Sequence, residues 1–158
     1  MAKQIPEITS SLRSHMIVMP PIISQSSGIR IFGKRIKSIV FTTDVAVVRN
    51  VNADAVIAVY PFISQSAITH AVMSVAEMPV FCGVGGGTTG GMRVVSLARD
   101  AEFQGAMGVV VNAPTPNKTT ELMRQVLDTP IVVTVVSEHT EIEGGLRAGA
   151  TILHVSGP

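Results

Sequence analysis

Apolar runs rich in β-branched residues recur along the chain, and stretches with helical periodicity separate them. The runs are continuous at their centres, as in Val-Ile-Ala-Val at 56–59 and Ile-Val-Val-Thr-Val-Val at 131–136. A strand with one wet face would alternate apolar and polar residues, whereas a continuous run indicates burial on both faces, as in a parallel sheet covered by helices. The runs predict strands at residues 38–42, 54–60, 79–84, 108–112, 131–136 and 151–155.

Between these strands, apolar residues recur with the spacing of one helix face. In residues 64–76, Ile68, Ala71, Val72 and Val75 fall on the same side of a helix. Similar patterns predict further helices at 92–105, 115–127 and 140–148. Regular alternation of strand and helix is typical of βα repeats. The predicted fold class is therefore α/β, a (β/α)8 TIM-barrel-like arrangement of which this chain carries about six strands.

We expect a single domain over residues 1–158, with an irregular N-terminal part at 1–36 followed by the βα repeats at 37–158. Within the irregular part, residues 5–16 predict a short helix, and residues 28–33 fit either a loop or a short pair of strands. A closed barrel needs eight strands, and an open parallel edge invites pairing with another chain. Six strands therefore predict a homo-oligomer.

Composition narrows the classes of partner. Of the 158 residues, 46% are hydrophobic and only 15% are charged, below the usual quarter, which favours burial of surface in an oligomer. The net charge is +1 and the densest basic run, at 30–37, is short, so we expect no nucleic-acid partner. The apolar runs fall short of the roughly 20 residues that span a bilayer. With one cysteine and no signal-peptide pattern, we expect a cytoplasmic protein without a membrane partner.

The glycine-rich segment at residues 83–91 lies between a predicted strand and a predicted helix. Glycines let the backbone approach a ligand closely, and N–H groups at a helix start suit an anion. The segment matches neither a Walker A loop nor a complete dinucleotide-binding fingerprint. We expect Gly85, Gly86, Gly87 and Thr88 to hold an anion, with Arg93 adding positive charge. The alternative is a flexible strand-to-helix loop without a ligand.

Polar residues at other predicted strand ends are candidates for catalysis, because ligands of parallel βα folds bind there. Asp44 is a candidate general base or metal ligand, or the N-cap of a following helix. Asn112 is a candidate hydrogen-bonding group for a substrate, or the start of an Asx turn. Glu138 is a candidate acid or base together with His139, or a charge that complements a helix dipole.

Other chemistry-bearing residues fit the core better. Cys82 follows Phe81 in a buried strand and has no identifiable base beside it, so a small hydrophobic role is expected. A lone His154 facing a barrel interior is more often a hydrogen-bonded core residue. The His and Cys residues do not have the spacing of a zinc site, and the sequence identifies no cofactor.

Four stretches resemble an uncharacterised bacterial TIM-barrel family, found mainly in Gram-positive genomes and often labelled hydrolase. They are IKSIVFTTDVAVVRNVNADAVIAVYP, PVFCGVGGGTTGG, AEFQGAMGVVVNAPTPN and PIVVTVVSE, and the resemblance covers most of residues 23–157. It implies a barrel fold and a hydrolase or lyase activity. Members of the family are longer and carry further βα units after the position of Gly157, whereas this chain departs from them by ending there.

Three hypotheses of function follow. The first is an enzyme, of hydrolase or lyase type, that binds or transforms a small phosphorylated or carboxylated metabolite. In it the glycine segment holds the anion, and Asp44, Asn112 and Glu138 form the polar rim. The second is a non-catalytic barrel that senses a metabolite and regulates a partner, and the third is a structural or assembly protein whose glycine segment binds nothing.

Overall fold

The centre of the molecule is a parallel sheet whose strands lie side by side in chain order. The structure, a computed structural model, describes residues 3–12 and 14–156. All six predicted strands are confirmed, with ends that differ by a few residues. Two short strands, β1 and β2, precede the sheet and are described below. The sheet strands follow in the order β3 Ile39–Phe41, β4 Ala55–Ala58, β5 Val80–Gly85, β6 Gly108–Val111, β7 Ile131–Val135 and β8 Ile152–Val155.

A helix follows each of the first five strands of this sheet. The four predicted helices are confirmed in shorter form, and Val45–Asn50 adds one more directly after Asp44. Each connection runs from one parallel strand to the next through a helix, so the sheet curls into part of a TIM barrel. In chain order the helices are α1 Val45–Asn50, α2 Ser66–Val75, α3 Met92–Phe103, α4 Asn117–Arg124 and α5 Ile142–Arg147.

Two apolar layers, one on each face of the sheet, hold this arrangement together. Side chains alternate along a strand, so Val109 and Val111 face the helices, whereas Val110 faces the barrel interior. The outer layer packs the sheet against α2, α3 and α4, with Val94, Met123 and Ile131 almost completely buried. Burial on both faces explains why the strands read as continuous apolar runs.

A short hairpin closes one end of the barrel interior. Strands β1 (Ile29–Ile31) and β2 (Lys34–Ile36) pair antiparallel, so residues 28–33 hold one strand and the turn of a pair whose second strand lies beyond them. Their two-residue turn places Phe32 at φ 47° and Gly33 at φ 80°, the positive values that such a turn requires. Ile31 and Ile36 pack on Ala55, Ile57, Phe81, Val110 and Val132 of the inner face.

The helix predicted at residues 5–16 is wrong. The described residues of that segment, all except Arg13, contain a turn, bends and irregular backbone but no helix. Ile5, Ile8 and Leu12 are at least 87% exposed. Apolar residues at helical spacing stabilise a helix only when a surface covers them, and here nothing in the described residues does so.

The two outer strands, β3 and β8, each have one neighbour within the described residues. The sheet nonetheless curls far enough that Phe41 of β3 and His154 of β8 bring their rings to 4.9 Å between centroids. The six strands therefore form an incomplete barrel whose first and last members face one another. In the described residues, no helix has both the length and the apolar character needed to cross a bilayer.

Asp54 ties the start of β4 to the segment that leads from the hairpin into β3. Its Oδ2 accepts hydrogen bonds from the N–H groups of Lys37 (2.8 Å) and Ser38 (3.0 Å), and its own N–H donates to Ser38 Oγ (2.9 Å). Partial burial acts to raise the pKa of Asp54. The hydrogen bonds and the nearby Lys34 charge act the other way and leave that pKa below its ordinary value.

We therefore predict that Asp54→Asn makes stability less dependent on acid pH. A lowered folded-state pKa means that the carboxylate stabilises the fold above its unfolded-state pKa and loses this effect as pH falls through the folded-state value. Urea unfolding should show Asp54→Asn less stable than the parent at neutral pH, and the difference should shrink below about pH 4. Glu7→Gln, in the exposed N-terminal segment, should follow the parent throughout. A difference independent of pH would contradict the assignment.

Candidate functional site

The loops after β4, β5, β6 and β7 line two neighbouring cavities at the carboxyl ends of the strands, where ligands of βα barrels bind. We call these two the rim cavities. The smaller cavity has a volume of about 220 Å³ and the larger about 600 Å³. Gly87 and Ala113 line both. The residues around the smaller cavity are Val59, Tyr60, Pro61, Phe62, Ser64, Gly83, Gly85, Gly86, Gly87, Thr88, Asn112 and Ala113.

Two glycines at the end of β5 are required by close packing against their neighbours. A Cβ on Gly86 would lie 2.6 Å from the carbonyl oxygen of Asn112, and Gly86 has φ 128°. A Cβ on Gly85 would lie 2.5 Å from a methyl group of Val94 in α3. Glycine at these positions therefore allows β5 to approach β6 and α3, whether or not a ligand is present.

Hydrogen bonds within the protein already use several N–H groups of the glycine segment. Gly86 and Thr89 exchange backbone hydrogen bonds of 3.0 and 2.9 Å, and the N–H of Gly87 donates to the carbonyl of Pro114 at 3.4 Å. These bonds tie the segment to the loop after β6. An anion here would depend on the remaining donors, among them exposed Thr88.

The loop after β4 is fastened to the same place. The N–H of Ser64 donates to Thr89 Oγ1 at 3.2 Å, and the N–H of Gln65 donates to the Tyr60 hydroxyl at 2.8 Å. Because the Tyr60 oxygen accepts this bond, its hydroxyl proton is left to donate elsewhere. Arg93, expected to add charge, is exposed in the first turn of α3 and lines neither of the two cavities.

Three polar side chains from adjacent strands form a hydrogen-bonded chain on the inner face. The Thr134 hydroxyl in β7 lies 2.8 Å from Oδ1 of Asn112, which follows β6, and 3.4 Å from Nδ1 of His154 in β8. Each of these residues lies two positions after an inward-facing residue and so faces inward too. Those inward-facing residues are Val110, Val132 and Ile152. The inner face is thus apolar near the hairpin and polar near the carboxyl ends. We call Asn112, Thr134 and His154 the polar chain.

Neighbouring cavities meet at the polar chain. Asn112 lines the smaller rim cavity and Thr134 the larger one. His154 lines a third, mainly apolar cavity of about 160 Å³ inside the barrel, and Leu153 lines both this one and the larger rim cavity. Each residue of the polar chain therefore lines a different one of these three cavities.

Sequence reasoning identified Asn112 but missed its two partners. His154 was expected in the core, and it is half-buried, packed on Phe41 and hydrogen-bonded to Thr134. Thr134 was not predicted as a site residue, although it interrupts the apolar run at 131–136 at an inward-facing position. That interruption was the available signal. The Asx-turn alternative for Asn112 is not what the structure has, because Oδ1 accepts from Thr134.

Asp44 acts as the N-cap of α1. Its Oδ1 accepts hydrogen bonds from the N–H groups of Ala46 (2.8 Å) and Val47 (3.3 Å), which satisfies donors of the first helical turn. Asp44 lines neither rim cavity. The capping alternative thus describes what the carboxylate does here, and a catalytic role stays a prediction.

Glu138 and His139 project into solvent. Both side chains are 89% exposed, with Glu138 Oε1 3.9 Å from His139 Nε2, and neither lines a rim cavity. Helix α5 begins at Ile142, so Glu138 lies outside its first turn, and the acidic residue there is Glu143. The structure does not bring Glu138 together with Asn112 or the glycine segment, and its catalytic role also stays a prediction.

Cys82 belongs to the outer apolar layer. Burial raises the pKa of its thiol to about 12, and the negative charge of Asp100 adds to the effect. The thiol therefore stays protonated at neutral pH, consistent with the expected core role. Within residues 3–12 and 14–156, His, Cys, Asp and Glu do not form a group of three placed to hold a metal ion.

Comparisons with known proteins support the fold and little more. No family model matches the chain, and no curated protein matches it. Among solved structures, a protein provisionally assigned as a phosphonomutase, from Burkholderia cenocepacia J2315, aligns over 72% of this chain and 54% of its own, with 15% identity and a TM-score of 0.51.

Two other barrels align less completely. Dihydrodipicolinate synthase from Aquifex aeolicus matches with 20% identity and a TM-score of 0.48, over 61% of this chain and 44% of its own. The 4-hydroxy-tetrahydrodipicolinate synthase of Methylacidiphilum fumariolicum SolV matches with 19% identity and a TM-score of 0.44, over 52% and 33%. This chain spans between a third and about half of these structures. Such similarity concerns the TIM-barrel fold, and the Gram-positive hydrolase label stays a prediction.

The packing of Gly86 predicts that Gly86→Ala destabilises the protein whereas Gly90→Ala does not. The added methyl group at Gly86 meets Asn112 and a positive φ, which together should cost about 1–3 kcal/mol in the free energy of unfolding. A Cβ on Gly90 meets nothing within 4 Å, so Gly90→Ala should stay within about 0.5 kcal/mol of the parent. Chemical denaturation measures both, and equal stabilities would contradict this packing.

Proposed function

We propose that this chain binds a small metabolite with a carboxylate or phosphate group at the carboxyl ends of its strands and takes part in lyase-type chemistry. The observation that carries the proposal is the polar chain of Asn112, Thr134 and His154, which interrupts an otherwise apolar inner face beside a cavity. These residues satisfy one another, so it is their place at the carboxyl ends of the strands, where ligands of βα barrels bind, that favours a binding role.

The volume of the smaller cavity favours a small ligand. Cavities for drug-sized molecules measure roughly 300–1,000 Å³, and this one measures about 220 Å³. The larger cavity adjoins it at Gly87 and Ala113 but is lined by side chains of the outer layer such as Val94 and Val133. A metabolite of a few carbon atoms fits the smaller cavity best.

The donors around the smaller cavity favour a carboxylate over a phosphate dianion. Among the described residues that line it, none is a lysine or arginine, and the polar ones are Tyr60, Ser64, Thr88 and Asn112. Neutral hydroxyl and amide donors suit a single negative charge, whereas doubly charged phosphate is usually matched by cationic side chains or several free N–H groups. We therefore infer a carboxylated ligand.

The chemistry of these residues favours proton transfer. His154 supplies an imidazole, the most common general acid or base, and Asn112 supplies an amide that can stabilise charge on oxygen. Hydrolysis would need an activated nucleophile or a metal-bound water. Buried, protonated Cys82 is a poor nucleophile. Proton transfer is a step that lyases and isomerases share.

A second candidate is a barrel that senses the same ligand without transforming it. It is favoured by the placement of Asp44 in a helix cap and of Glu138 in solvent, since neither supplies a carboxylate base at the cavity. Homo-oligomer formation through the outer edges of β3 and β8, which are without a second neighbour among the described residues, and a cytoplasmic location are further proposals.

The test is a thermal-shift panel of small carboxylates and phosphates, including lactate, pyruvate, malate and inorganic phosphate. A ligand that binds the native state at 100 times its Kd adds about 2.7 kcal/mol, which should raise Tm by about 5 °C or more. We expect a carboxylate to produce this shift, Asn112→Ala to abolish it and Glu138→Ala to retain it, each relative to its own ligand-free Tm.

Absence of any shift across the panel, or an equal shift in Asn112→Ala, would overturn the proposed site. For a compound that binds, its consumption followed by proton NMR separates the enzyme from the sensor. Turnover that is lost in His154→Gln supports the enzyme, and binding without turnover supports the sensor.

A further inference from the structure

The polar chain has a defined direction of hydrogen bonding. Thr134 has one hydroxyl proton, and its Oγ1 lies 2.8 Å from Asn112 Oδ1, an atom that can only accept. The proton therefore points toward Asn112. The same Oγ1 lies 3.4 Å from Nδ1 of His154 and has only lone pairs left to offer on that side. A hydrogen bond between Thr134 and His154 then requires the proton on Nδ1.

We propose that Asn112 and Thr134 hold neutral His154 as the Nδ1–H tautomer, which leaves the lone pair of Nε2 as the hydrogen-bond or proton acceptor of the ring. Asn112 and Thr134 are positioning residues in this scheme, since both act through His154. The ring of Phe41, tilted by 35° at a centroid distance of 4.9 Å, packs on the imidazole and limits its reorientation.

The same direction of bonding specifies what Asn112 offers. Its Oδ1 is used by Thr134, so its Nδ2 group keeps two N–H donors at the edge of the smaller cavity. His154 lines the inner cavity rather than the smaller one, so a ligand that reaches both cavities meets amide donors at Asn112 and an imidazole acceptor at His154. This pairing is complementary to a hydroxy-carboxylate, whose carboxylate oxygen accepts and whose hydroxyl donates. The ligand class rests on the proposed function above, whereas the tautomer does not.

Long-range ¹H–¹⁵N correlation spectra of the histidine rings test the proposal in the ligand-free protein. These spectra distinguish Nδ1–H from Nε2–H rings, at a pH where the rings are neutral, and His154→Gln assigns the His154 signals among those of the other histidines. We expect the parent to have Nδ1–H at His154. An Nε2–H ring in the parent would overturn the proposal outright.

Variants at Asn112, whose amide bonds Thr134 rather than His154, make the test sharper. In Asn112→Leu the Thr134 proton loses its acceptor and becomes free to donate to His154 Nδ1, so the ring should change to Nε2–H. Asn112→Asp keeps an acceptor for Thr134 and should retain Nδ1–H. A general loosening of the fold would not produce this difference between two substitutions at one position.

Thr134→Val and Thr134→Ser repeat the test at the centre of the chain. Valine removes the acceptor and should release His154 to the Nε2–H form that free imidazole side chains favour, whereas serine keeps the hydroxyl and should retain Nδ1–H. An unchanged Nδ1–H ring in Thr134→Val would overturn the inference. Because this experiment uses the ligand-free protein, that result would not contradict the proposed function. Conversely, a ligand panel without any thermal shift would not contradict the proposed tautomer.

Discussion

Burial of both faces of a parallel sheet is the constraint on which the rest of this structure depends. The helices cover the outer face, so side chains such as Val109 and Val111 must be apolar. The hairpin covers the inner face at one end through Ile31 and Ile36, and Val110 and Val132 are apolar there for the same reason. At the carboxyl ends this cover stops, and polar side chains are tolerated there where they hydrogen-bond one another. The polar chain lies at that boundary.

The glycine segment has a packing role in the structure, and anion binding by it stays a prediction. Gly85 and Gly86 are needed where β5 packs against α3 and the end of β6, and three N–H groups of the segment bond within the protein. Its contribution to a site is therefore mainly one of packing. Glycine at position 86 lets Asn112 lie against the loop, and both residues line the smaller cavity. The chemistry at the mouth belongs to Asn112, Thr134 and His154, which three successive strands deliver to one level of the inner face.

The sequence predicted the repeats well because each strand carries its own signal, a buried run of β-branched residues. It failed at residues 5–16 because helical spacing says nothing about whether a surface exists to cover the apolar face. Site residues were harder. The sequence favoured capping only slightly for Asp44, since a cap and a catalytic base use the same residue type at the same strand end. The interpretation of Glu138 depended on the residue at which α5 begins. A site role for Thr134 could be identified only from its hydrogen-bond partners on the neighbouring strands.

Mapping where a small probe binds tests directly whether a ligand occupies the barrel mouth against the polar chain. Lactate, a small hydroxy-carboxylate, is titrated into ¹⁵N-labelled protein while backbone, Asn and His signals are followed. We expect saturable shifts in the Asn112 side-chain amide, the His154 ring and the backbone of residues 85–88. Shifts confined to other regions, such as the cavity beside Lys37 and Asp54, or no saturable shifts at all, would contradict this placement of the ligand.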